Sequence, residues 1–133
     1  TYFLPRLAGD ARARGLAMLA EKISAEQAAE WGLIWKVAED DTLMAEATAL
    51  ARHLATQPTK GLALIKHALD QSASNSLDAQ LDLERDLQRT LGHSADYREG
   101  VTAFLEKRPA KFPMKVTTGM PSYFPWWKER TFG

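Results

Sequence analysis

Cysteine is absent from the 133 residues, and with it go disulfides, thiol nucleophiles and thiolate-held metals. That composition suits a reducing compartment and sets the expectation of a cytoplasmic protein. An excess of one charge is missing as well. Seventeen basic side chains balance seventeen acidic ones, so no overall field gathers nucleic acid or acidic membrane, and any anion site must be local. No apolar run approaches the roughly 20 residues that span a bilayer, and the first residues lack a charged start before a long apolar stretch. Neither membrane insertion nor export is expected. There is no GxGxxG, no Walker loop and no GxSxG, which leaves kinase and hydrolytic chemistry without a foothold. His53, His67 and His93 fall on different expected elements with no HExxH among them, so no metal is expected. An initiator methionine is missing too: the opening Thr1-Tyr2-Phe3-Leu4-Pro5-Arg6 reads like a cut inside a longer protein.

What is present is helix. Apolar residues make up 45% of the chain, enough for a core in one domain of this size. Residues 10–20 combine strong helix formers with Leu16, Leu19, Ala20 and Ile23 at helical spacing. Ser24 and Gln27 form a capping-box pattern before a short helix from Ala25 to Trp31, which Gly32 ends. Leu33 to Ala38 reads as one short extended segment that must pair outside this chain or persist as a loop. From Thr42, the stripe Leu43, Ala47, Leu50 and Leu54 predicts a helix to about Ala55. Pro58 opens another, with Leu62, Ile65 and Leu69 on one face. Leu77 to about Leu91 carries two apolar strips, Leu77/Leu81 and Leu83/Leu87/Leu91, which can pack against two neighbours. Its Glu84, Arg85 and Asp86 could be acid–base groups, but their spacing with Gln88 and Arg89 reads more simply as a solvated face.

Ser94 is a natural cap for a last helix from Ala95 to about Glu106, with Asp96 in the first turn. Gly100 in its interior points to a close helix contact or a ligand approach. Phe104 and Lys107 are three apart and share a face, and Arg108 and Lys111 lie at or beyond the helix end. Those cations complement the helix dipole, or they await an anionic partner with a flat ring; the residues alone leave both open. The tail 113–133 carries Pro113, Pro121, Pro125 and two adjacent tryptophans without an apolar period, so it is expected to be irregular. Trp126, Trp127, Lys128 and Arg130 offer stacking and charge, yet the neutral chain makes nucleic acid a weak reading.

Three stretches together resemble the C-terminal part of the crotonase superfamily, the enoyl-CoA hydratases and isomerases. They are a start like the tail of a GGTxxLPR motif, a helix in the style of SAEQAAEWGLI, and EGVTAFLEKR near the end. The nearest look-alike is the ring-isomerase branch acting on epoxyphenylacetyl-CoA in phenylacetate degradation. The resemblance covers Thr1 to about Phe112 and implies a mainly α fold of five to six helices, the helical trimerisation region of a crotonase fold, with at most one short strand. In that family an upstream spiral binds CoA and supplies two backbone N–H groups, and the proton-moving acid lies just before the GG of the motif. No catalytic residue is therefore expected in this chain, which alone should be inactive. The FxxKR segment of one subunit reaches the CoA of the next, which implies a CoA contact for Phe104 and Lys107, with Arg108 a weaker candidate. A homo-oligomer acting on a CoA thioester is implied, with no cofactor beyond the CoA of the substrate itself. The rival expectation is a helical protein-interaction module without ligand, built on Leu77, Leu81 and the aromatic tail.

Overall fold

The structure, a computed structural model, describes residues 1–116. Seven α-helices occur there: α1 (Phe3–Ala8), α2 (Asp10–Leu19), α3 (Ala25–Glu30), α4 (Leu43–Ala55), α5 (Thr59–Ser72), α6 (Leu77–Gly92) and α7 (Ala95–Leu105). Among the described residues there is no strand. Six of the helices answer the expected ones. The seventh, α1, was hidden by Pro5, which falls within the first turn, where its missing N–H has no helical acceptor to lose. Trp126, Trp127, Lys128 and Arg130 of the tail lie outside the described residues.

Two compact units divide the chain, Thr1–Thr48 and the part from Ala49 onward. In the first, α1 packs on α2 and buries Ala8 and Ala13. Ser24 Oγ accepts from the Gln27 amide at 3.1 Å, as a cap should. At the other end of α3, Gly32 adopts φ +77°, its N–H reaches the Ala29 carbonyl, and the Leu33 N–H reaches Ala28. That pair of bonds is a Schellman motif, and the positive φ is why glycine stands there. The segment after it takes the loop alternative, and its Trp35 is exposed. Lys36 Nζ meets Glu46 Oε2 at 2.5 Å and Thr42 Oγ1 meets the other oxygen of Glu46, fixing the entry to α4.

In the second unit α6 packs on both α5 and α7. Gln80 ties the α5–α6 turn, donating to the Ala68 carbonyl and to Glu84 while accepting from Asn75. Ser76 and Ser94 cap α6 and α7 by accepting from the Ala79 and Tyr97 amides. Of the two strips on α6, Leu87 is buried and Leu83 and Leu91 are half-buried, whereas Leu77 and Leu81 are exposed. On α5 the buried residues are Gly61, Ala63 and Leu64, about 100° round the helix from the expected stripe, and Ile65 and Leu69 lie open. Both faces of α5 are apolar, so periodicity alone could not choose between them.

Leu64, only 1% exposed, is the deepest large side chain. Leu64→Ala should cost about 2–5 kcal/mol, whereas Leu69→Ala should change stability by less than about 1 kcal/mol. Urea unfolding of the two variants checks this, and equal losses would contradict the assignment of the packed face.

Candidate functional site: the end of α7 and its return strap

Helix α7 presents two faces. Tyr97, Val101, Phe104 and Leu105 recur at helical spacing and are all exposed, Phe104 at 83%. With Pro58 and Leu91 they line an apolar groove of about 430 Å³. Asp96, Glu99 and Gly100 meet the chain that follows the helix, and Gly100 and Phe112 also line the groove.

That chain begins with a tight reversal. The Lys107 N–H bonds to the Phe104 carbonyl at 3.2 Å and the Arg108 N–H to the Ala103 carbonyl at 3.0 Å, a second Schellman motif. Here the left-handed position is held by Lys107, at φ +53°, where glycine would ordinarily stand. Pro109 then forbids the helix from resuming. Residues 108–114 run back along α7 as a strap attached at three points. Arg108 Nη1 and Nη2 donate to the two oxygens of Glu99 at 2.6 and 3.0 Å, while its Nε donates to Glu106 at 2.6 Å. The Lys111 amide adds a third bond to Glu99 at 2.7 Å. One turn earlier, the Met114 amide donates to Asp96 Oδ1 at 2.9 Å. Between these anchors the Phe112 ring lies over Gly100, 3.6 Å from where a Cβ would stand. The close approach at Gly100 is made by the non-helical strap, not by the helix or ligand that the sequence led us to expect. Asp96 is 5% exposed, and its Oδ2 has no hydrogen-bond partner among the described residues.

The three residues expected to meet a ligand therefore fall into two groups. Phe104 and Lys107 sit together at the exposed end of α7, and Lys107 makes no ion pair among the described residues. Arg108 is exposed as a residue, but its guanidinium is held in a bidentate fork by one carboxylate and by a second carboxylate at Nε. Sequence reasoning missed Glu99 and saw Asp96 only as a first-turn acid. The spacing Asp96-x-x-Glu99-Gly100, one helix face ahead of a proline-broken return, was the signal available.

The electrostatics follow the contacts. Hydrogen bonds from Arg108 and then from the Lys111 amide hold the Glu99 carboxyl at about 2, well below its ordinary range. Arg108 is pushed in the opposite direction, first by Glu99 and then by Glu106. Glu46 is lowered by Lys36, and Glu26 by its own first-turn amide and Ser24. A proton shuttle working near neutral pH needs a carboxyl raised toward 7, so these three are tuned away from that chemistry. The arrangement can hold a flat ring and a negative charge.

Comparison with known proteins bears on what that pairing serves. The enoyl-CoA hydratase/isomerase family pattern matches residues 1–115. The chain is 63% identical over 115 residues to the 1,2-epoxyphenylacetyl-CoA isomerase of Escherichia coli (strain K12), covering 86% of this chain and 44% of that one. Its structure resembles the crystal structure of an enoyl-CoA hydratase from Polaromonas sp. JS666, with a TM-score of 0.79 at 35% identity, over 84% of this chain and 43% of that one. An enoyl-CoA hydratase from Bacillus anthracis matches with a TM-score of 0.77 at 32% identity, over 82% and 42% of the two chains. The fold of these residues thus recurs as part of longer chains. The chain belongs to the enoyl-CoA hydratase/isomerase family, and it spans less than half the length of the curated relatives it matches.

Glu99 gives a pH signature. Its carboxyl ionises at about 2 in the fold against an ordinary value of 4.5, so between these values the folded state binds fewer protons than the unfolded one. The stabilisation is complete above the upper value and disappears as pH falls through the lower. Thermal midpoints between pH 5 and pH 2 should fall less steeply for Glu99→Gln than for the wild type. Parallel slopes would contradict the pairing.

Proposed function

We propose that this chain supplies the aromatic and cationic half of a CoA-nucleotide site, together with subunit contacts, to a cytoplasmic homo-oligomeric enzyme acting on CoA thioesters. The observation that carries the reading is the joint placement, at one helix end, of an exposed Phe104 ring and a Lys107 that makes no ion pair among the described residues. A ring of this kind stacks on adenine, and an ammonium group pairs with phosphate as a point charge. The high identity to an isomerase named for 1,2-epoxyphenylacetyl-CoA supports a ring-isomerase activity in phenylacetate degradation for the whole protein. In that chemistry two backbone N–H groups stabilise a thioester enolate while a carboxylate moves the proton. The lowered Glu26, Glu46 and Glu99 suit none of those roles, and the chain alone is expected to be inactive.

A second reading, an interaction module without ligand, draws on Ile65, Leu69, Leu77 and Leu81, large apolar side chains that lie open. Subunit contacts would cover such faces under either reading, so self-association does not separate them. CoA does. Amide-resolved NMR titration with CoA should give saturable shifts confined to the end of α7, and Lys107→Ala should weaken binding about fivefold to tenfold, as loss of a charge-assisted contact of about 1 kcal/mol requires. Absence of shifts at millimolar CoA alongside tight oligomers would favour the module.

A further inference from the structure

The strap places three cations within five residues, Lys107, Arg108 and Lys111, yet treats them differently. Lys107 occupies the left-handed corner. The Arg108 guanidinium is spent on Glu99 and Glu106, and Lys111 contributes its backbone amide to the same Glu99. A left-handed lysine is conformationally costly and persists only where neighbouring bonds over-determine it. Those bonds are visible. The helix-terminal pair of backbone hydrogen bonds sets the corner, and the fork from Arg108 to Glu99, one residue beyond, stops the chain from relaxing out of it. The Met114–Asp96 bond and the Phe112–Gly100 contact pin the rest of the strap to the same helix face.

We propose that Arg108 is a positioning residue rather than an anion ligand, and that with Glu99 it forms the clasp that holds Lys107 in place beside Phe104. The part of this statement that concerns an anion rests on the CoA reading above; the part that concerns the clasp does not. Lysine cannot replace Arg108 here, because an ammonium group lacks the planar fork that matches both oxygens of Glu99. Glu99 is the partner that makes the assignment testable by sign. Were Arg108 a phosphate ligand, Glu99 would be its competitor, and neutralising Glu99 would tighten CoA binding. In the clasp, neutralising Glu99 frees the corner and weakens it.

The test uses the isotope-labelled 133-residue chain with CoA as the probe, comparing wild type, Glu99→Gln and Arg108→Lys. In the wild type the amide-to-Hα coupling of Lys107 should report a positive φ, and the Lys111 and Met114 amides should exchange slowly. Glu99→Gln should shift that coupling toward an averaged value, speed exchange at Lys111, and weaken CoA binding at least about threefold, the loss of roughly half of one charge-assisted contact. Arg108→Lys should do the same despite keeping the charge. Tighter CoA binding in Glu99→Gln, or unchanged coupling and exchange in both variants, would overturn the proposal. If wild type shows no CoA shifts, the nucleotide reading fails on its own, and coupling and exchange alone then decide the clasp. Should Glu99→Gln fail to fold, Arg108→Lys decides it: an unchanged Lys107 coupling there would refute the clasp.

Discussion

The carboxylate of Glu99 accepts two guanidinium N–H groups from Arg108 and the backbone amide of Lys111, and the end of the molecule is organised around it. A surface ion pair ordinarily contributes little, because solvent screens it and two long side chains must be held still. Here the geometry differs from that ordinary case. The Glu99 side chain is four-fifths covered, the fork is bidentate, and a main-chain amide completes the set. Its consequence is local order rather than bulk stability: the chain reverses at Lys107, Pro109 keeps it from coiling again, and the strap lies back along α7. Everything read as a ligand contact stands at the outer edge of that reversal.

The opposite face of α7 obeys another constraint. Tyr97, Val101, Phe104 and Leu105 form an apolar stripe along a groove, and α5 and α6 leave Ile65, Leu69, Leu77 and Leu81 open. Exposed apolar residues scattered singly need no explanation, but stripes at helical spacing do. Few large side chains are fully buried within these residues, Leu64 foremost, and a helix that packs on more than one neighbour carries apolar faces on more than one side.

Much of this was legible beforehand. Serine caps at Ser24 and Ser94, the glycine stop at Gly32 and the helical periods all act through bonds within four or five residues, so the sequence states them directly. Which apolar face of α5 is packed was not legible, because Leu64 and the Leu62, Ile65 and Leu69 set compete at the same period and only tertiary contact decides. Helix α1 was obscured by a proline placed where a helix tolerates one. Phe104 and Lys107 were singled out through resemblance to the family's FxxKR segment, whereas the contact of Glu99 with Arg108 went unseen. Glu99 and Arg108 are nine residues apart and meet only because the chain reverses at a residue that is not glycine. A left-handed lysine has no sequence signature of its own.

The most direct measurement is the ionisation of the Glu99 side chain itself, followed by carbon-13 NMR of its carboxyl group through an acid titration of the intact chain. The clasp predicts a midpoint near 2, with the Lys111 amide resonance moving in the same transition. A midpoint near the ordinary 4.5, with the Lys111 amide indifferent to it, would mean that Arg108 and Glu99 do not hold one another and that nothing fixes Lys107 beside Phe104.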